Sequence, residues 1–233
     1  MSAARELVEP LVARWGLGPP AGERLATLLE LLEDDATAPT AVREAGEAVD
    51  AHLADSLVAL ELEAVRAAGR IADLGSGAGF PGLALAVGRP DARVALVESA
   101  ARKCAFLERA IAATGVPNAE VVHARAEAWP AGGVAHDLVT ARALAALPVV
   151  VEYAAPLLAE GGALVAWRGR RDPDAEAAAA RAAAEVGLEP VEVRRVEPYS
   201  AARDRHLHVF RKTAPTPPRF PRRPGMARKR PLG

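Results

Sequence analysis

The sequence predicts an α/β fold: a doubly wound, mostly parallel sheet with an N-terminal helical appendage and a C-terminal antiparallel hairpin. Three observations predict it. From Arg70 onward, short apolar runs alternate with longer segments of helical spacing. A glycine-rich turn, "DLGSGAGFPGLAL", joins the first of these runs to the first helix. The last two runs, "EPVEVRRVEP" and "RHLHVFRK", are close enough to pair antiparallel without a crossover.

Each element follows in order. Residues 1–68 form the appendage, because "RELVEPLVARW", "ERLATLLELLE" and "VDAHLADSLVALELEAV" place Leu or Val at three- and four-residue intervals. Gly16, Gly18, Pro19, Pro20, Pro39 and Gly46 punctuate them. Residues 69–212 form the α/β domain: strands are predicted at "RIADLG", "RVALVES", "AEVVHAR", "HDLVTAR" and "GALVAWRG". Helices are predicted at "FPGLALAVG", "ARKCAFLERAIAATG", around 149–158 and at "DAEAAAARAAAEVG". Residues 213–233, "TAPTPPRFPRRPGMARKRPLG", are too rich in proline and charge for strand or helix and are expected to be an extended tail.

A chain of 233 residues that is 51% hydrophobic has enough apolar side chains for one substantial core. Its single cysteine, Cys104, excludes an internal disulfide and lies mid-helix, where packing is its expected role. Glu6 and Glu9 interrupt the run a signal peptide would need, and Pro148, Glu152 and Pro156 break the most apolar window. A cytoplasmic protein with no membrane partner is expected. The net charge is only −1, yet no acidic residue follows Arg211, a segment holding eight Arg and Lys residues.

The glycine turn carries the functional signal. Gly75, Gly77 and Gly79 let the backbone come close to a ligand at the carboxyl end of the first strand. The dinucleotide pattern wants G-x-G-x-x-G, whereas this chain reads G-x-G-x-G with Phe80 in the third glycine's place. Asp73 adds a carboxylate expected to face a cationic group. "D-x-G-x-G-x-G" thus resembles motif I of the S-adenosyl-L-methionine methyltransferases, and the sheet is expected to be their Rossmann-like one. Glu98, ending the second strand, lies where this architecture places an acid on the ribose hydroxyls. Ala126 and Glu127, after the third strand, stand where methyltransferases commonly contact the adenine.

What the chain lacks bears on the methylated atom. "DLVTARALAAL" has no D/N-P-P-Y tetrapeptide of the kind that accepts hydrogen bonds from an exocyclic amine. Cys104 has no neighbouring proline, which disfavours carbon-5 methylation of a pyrimidine. Guanine N7 needs neither device, since its lone pair is available without loss of a proton; help then comes from positioning and electrostatics. No catalytic residue and no metal ligand is assigned.

The whole pattern is similar to one family, the small-subunit ribosomal RNA methyltransferase G family (glucose-inhibited division protein B). The similarity rests on "HLADSL", "DLGSGAGFPGLAL", "VESAARKCAFL", "HARAEAW", "DLVTARALAAL" and the tail "RFPRRPGMARKRPL". The resemblance implies methylation at N7 of a loop guanine in 16S rRNA, with the RNA or the small ribosomal subunit as partner; separately, a monomer is expected. It implies cofactor contacts at Gly75, Phe80, Ala126, Glu127 and Arg142, and an RNA side at His52, Asp55, Ser56 and Arg142. The basic tail, with Arg222, Arg223 and Lys229, is expected to meet phosphates. Removing it should weaken RNA binding and change cofactor affinity little. Arg102 and Lys103 are expected on a solvated helix face.

The N-terminal part departs from the family. A W-N pair and an N-L-T triplet are replaced by Leu29–Glu30 and Ala38–Pro39–Thr40. Two alternatives therefore accompany the enzyme reading: a Rossmann-like RNA-binding protein that has lost catalysis, and a small-molecule methyltransferase, which would leave the basic tail unexplained.

Overall fold

The computed structural model describes residues 2–129 and 133–233. The chain opens with α1 (Ala3–Trp15), α2 (Pro20–Asp34) and α3 (Ala45–Ala48). After α3 come a π-helical stretch (Val49–Ala54), α4 (Asp55–Leu57), a 3₁₀ turn (Val58–Glu61) and α5 (Glu63–Arg66). The α/β part runs β1 (Arg70–Leu74), α6 (Gly82–Gly88), β2 (Arg93–Glu98), α7 (Ala101–Thr114), β3 (Ala119–His123) and β4 (His136–Arg142). It continues with α8 (Leu147–Ala154), β5 (Leu158–Arg168), α9 (Pro173–Val186), β6 (Leu188–Val196) and β7 (Arg205–Lys212), and α10 (Met226–Lys229) follows in the tail.

The seven strands form one sheet in the order β3-β2-β1-β4-β5-β7-β6. β3 through β5 along that order are mutually parallel. β7 runs antiparallel to both β5 and β6, so the expected hairpin closes the sheet edge. The chain reverses winding direction between β1 and β4, which leaves a crevice beyond their carboxyl ends.

Alternate residues of the parallel strands feed two cores. Ile71, Leu96 and Leu138 face one side, where α2, α6 and α7 contribute Leu25, Leu28, Leu83 and Phe106. Ala72, Val97 and Val139 face the other, against Val150, Val151, Ala179 and Ala183 of α8 and α9. The strands are buried on both faces, which accounts for their nearly unbroken apolar runs. Helix ends follow local chemistry: Asp172 accepts the Ala175 N–H at 3.0 Å to start α9, and Gly187, at φ +78°, ends it.

Two expectations are corrected. The apolar pattern from 49 to 65 does not form one helix; a π-helical stretch and a 3₁₀ turn break it. The extra backbone residue of the π stretch changes the facing of His52 and Asp55 relative to a regular helix. The tail is not simply extended, because α10 forms within it and Phe220 and Ala227 are buried in the second core. Composition averaged over the segment hid these apolar anchors.

Candidate active site

A cavity of about 350 Å³ opens at the carboxyl ends of β1 to β4. Gly75, Glu98, Ala126, Glu127 and Leu144 line it, joined by Tyr153 from α8 and Arg228 from α10. Gly75 and Gly77 both adopt positive φ (+70° and +60°), so the turn needs glycine. A Cβ on Gly75 would lie 2.7 Å from Leu144 Cδ1, whereas one on Gly77 would approach nothing nearer than the Gly75 carbonyl at 3.7 Å.

Glu98 is 5% exposed and forms the hub of this floor. Its Oε1 accepts the Ser99 and Ala100 N–H groups at 2.8 and 2.9 Å, and Oε2 accepts the Gly77 N–H at 3.2 Å. Lys103 Nζ stands 3.8 Å from Oε2 and lines the cavity, which corrects its placement on a solvated face. A carboxylate offers about four acceptor sites, so Oε2 retains capacity for a diol. At the other end, Glu127 Oε1 accepts the Gly225 N–H at 3.2 Å and the Tyr153 hydroxyl at 3.4 Å.

A second cavity, of about 550 Å³, adjoins the first. Ala143 lines both, at φ +55°, a conformation that costs an L-residue roughly 1–2 kcal/mol. His52, Asp55, Arg142, Trp167, Arg168 and Arg205 are among its walls. Arg142 Nη1 donates to Asp55 Oδ2 at 2.8 Å and to the Ala51 carbonyl at 3.0 Å. Its guanidinium also lies 5.7 Å from the Phe80 ring centroid, and Phe80 stacks on His52 at 4.7 Å. Thr40 Oγ1 is 2.9 Å from His52 Nε2. Burial and the neighbouring Arg142 charge push the His52 pKa below its usual value, favouring the neutral ring. Asp55 Oδ1 is buried without a hydrogen-bond partner; Arg205 Nε is 3.4 Å away.

The structure thus brings Gly75, Glu98, Ala126 and Glu127 around one cavity and His52, Asp55 and Arg142 around the next. Gly77 joins Glu98 through its N–H at 3.2 Å without lining either cavity, and three other expected residues lie elsewhere. Asp73 is fully buried; its carboxylate accepts the Thr140 hydroxyl at 2.8 Å and the Gly82 N–H at 3.2 Å, and does not line the cavity. Its burial raises its pKa. The Ser56 side chain is fully buried, lines neither cavity and donates to the His52 carbonyl at 2.5 Å, so it supports the π-helical stretch. The Phe80 ring packs behind the boundary and lines neither cavity.

In the tail, Arg222 is held by Glu152, with contacts of 2.8 and 2.5 Å, and is not a free cation for phosphates. Arg223 and Lys229 are exposed. Sequence reasoning missed Tyr153, Trp167, Arg168, Arg205 and Arg228. Of these only Arg228 lies in a motif, where it counted simply as one cation of the basic tail; contacts from 23 to 150 residues apart position the five.

No group of acidic, histidine or cysteine side chains among the described residues is arranged to hold a metal. No helix among them is long and apolar enough to cross a membrane.

Comparisons with known proteins bear on this site. A 43% identical relative, the ribosomal RNA small subunit methyltransferase G of Rubrobacter xylanophilus, aligns over 78% of this chain and 72% of its own length. The Deinococcus radiodurans protein of the same name is 36% identical over 99% of this chain and 93% of its own. Among solved structures, a 16S rRNA (adenine(1408)-N(1))-methyltransferase from Catenulisporales acidiphilia superposes with TM-score 0.54 at 18% identity, covering 66% of this chain and 90% of that one. The precorrin-6y C5,15-methyltransferase of Geobacter metallireducens gives 0.52 at 14% identity, covering 78% and 96%. These two share the sheet architecture. Residues 23–207 match the family described as rRNA small subunit methyltransferase G (GidB), and the chain belongs to that family.

Proposed function

We propose that the protein transfers a methyl group from S-adenosyl-L-methionine to N7 of a guanine in 16S rRNA. The observation that carries this reading is the pair of cavities meeting at Ala143, one floored by a carboxylate and a glycine turn, the other walled by arginines around a buried carboxylate. The cofactor, when bound, supplies an electrophilic methyl group on a sulfonium. Glu98 is suited to its ribose diol, Ala126 and Glu127 to its adenine, and the turn at Gly75–Gly77 to its amino-acid portion.

The neighbouring cavity fits the base. Guanine N7 attacks through its own lone pair, so no side chain has to remove a proton, and the protein acts by positioning. An arginine reading guanine in the usual way would occupy O6 and N7 and block the nucleophile. A carboxylate instead matches the N1–H and N2–H donors of the opposite edge. Asp55 Oδ1 is the buried acceptor in this cavity that lacks a hydrogen-bond donor. As N7 acquires the methyl group the ring gains a positive charge, and the Asp55 carboxylate is placed to attract it. Arg168 and Arg205 supply positive charge for the flanking phosphates. The target guanine must be unstacked to enter such a cavity, which favours a loop.

The test incubates small ribosomal subunits lacking the modification with the protein and labelled S-adenosyl-L-methionine. Label is expected together with one new strand break at a loop guanine after reduction and aniline treatment, because N7 methylation leaves a cationic base. Label without that break would assign a different atom. Cofactor binding without label would favour the binding protein that has lost catalysis.

A further inference from the structure

We propose that the basic tail is a wall of the cofactor cavity, with Arg228 as a cofactor-binding residue, and that RNA bound on its outer face tightens cofactor binding. The proposal rests on the functional reading above, which places the cofactor in the first cavity.

Three attachments hold the tail at that cavity, each on a different element. Arg222 grips Glu152 of α8, which is 1% exposed, and its Nη2 also donates to the Arg230 carbonyl at 2.8 Å, closing the tail on itself. The Gly225 N–H donates to Glu127 in the turn after β3. Arg228 Nη2 donates to the Leu144 carbonyl, beyond β4, at 2.9 Å. Glu127, Leu144, Tyr153 and Arg228 all line the cavity, so two attachments are made at its rim and its wall is incomplete without the tail. Phe220 and Ala227, buried in the core beneath, give the docked conformation its apolar support.

The cations divide by contact. Arg222 pairs with Glu152, and Arg228, although exposed, lines the cavity and bonds Leu144, whereas the exposed Arg223, Lys229 and Arg230 do not line it. Phosphates bound by the outer three would favour the docked tail and with it the closed cavity. Cofactor in the cavity would, by the same linkage, favour RNA binding.

Calorimetric titration of the full-length protein with S-adenosyl-L-methionine, with and without deproteinised 16S rRNA, tests this. Arg228→Ala should weaken cofactor binding roughly tenfold or more, the loss expected for one hydrogen bond to a charged group. Removal of residues 219–233 should weaken it at least as much. Ribosomal RNA should tighten cofactor binding by the wild-type protein several-fold; the triple variant Arg223→Ala, Lys229→Ala, Arg230→Ala should bind cofactor normally alone and lose the tightening. Wild-type affinity in both Arg228→Ala and the truncation, or no effect of RNA on the wild type, overturns the proposal. A wild-type protein that binds no cofactor overturns the functional reading itself. If the truncation does not fold, Arg228→Ala and the triple variant, all at exposed positions, decide the matter.

Discussion

Arg142 Nη1 lies 2.8 Å from Asp55 Oδ2, joining the end of a central strand to a helix 87 residues earlier in the chain. Both side chains are largely shielded, with exposures of 18% and 8%. The contact fixes the wall between the two cavities to the N-terminal helices. Arg142→Ala should therefore destabilise the fold by about 3 kcal/mol, because it leaves Asp55 buried beside the more distant Arg205. Chemical denaturation checks this, and the double variant Arg142→Gln, Asp55→Asn should lose distinctly less. Equal losses in the single and double variants would show that the pair is not the source.

The role given to Asp55 predicts a preference that a structural role does not. RNA carrying inosine at the target lacks the 2-amino group and should be methylated roughly tenfold less efficiently than guanosine, as expected for a buried acceptor losing a donor. In Asp55→Asn the absolute rate should fall and the guanosine-to-inosine ratio should shrink toward one. A reduced rate with an unchanged ratio would remove Asp55 from base recognition.

The glycine turn supplies an internally controlled comparison. Gly77 and Gly115 have nearly the same φ, +60° and +61°, and a Cβ at either would meet no protein atom nearer than 3.7 Å. Gly77→Ala and Gly115→Ala should each cost about 1–2 kcal/mol of stability from backbone strain. Only Gly77→Ala should lower cofactor affinity as well, read by calorimetry below the unfolding transition. Equal cofactor affinity in the two variants would contradict a ligand at Gly77.

Asp73→Asn separates the buried role from the ligand role. The carboxylate accepts from Thr140 and Gly82, so an amide, with one acceptor fewer, should lower stability by about 1–3 kcal/mol. Cofactor affinity should stay within a few-fold of wild type. A selective loss of affinity, with stability retained, would restore Asp73 to the cavity.

His52 makes stability depend on pH in the acid range. Its folded-state pKa lies below 6.5, so the unfolded chain binds the proton first, and the folded state loses stability as pH falls from about 6.5 toward the folded value. The slope from this one group is at most about 1.4 kcal/mol per pH unit. His208, shifted the same way by burial, adds to it. His52→Phe, which keeps a ring against Phe80, should flatten the dependence measured by urea unfolding between pH 5 and 7.5. An unchanged slope would assign the effect to His208 alone.

By itself the sequence determined the sheet, its hairpin and the glycine turn and carboxylate that meet at the first cavity. These are local matters: unbroken apolar runs such as "RVALVE" demand burial on two faces, the glycines answer to backbone geometry at one turn, and Glu98 follows from the strand it ends. Only the tertiary structure decided which charged groups open on a cavity. Asp73 and Glu98 look alike as acids at strand ends, yet Thr140 and Gly82 enclose one while the other opens on the cavity. Arg222 and Arg228 look alike in a basic tail, yet Glu152 neutralises one and the other lines the cavity. A charge is assigned its role by whatever partner the fold places beside it, here from strands, helices and a tail up to 150 residues apart. Residue type and spacing do not encode that partner.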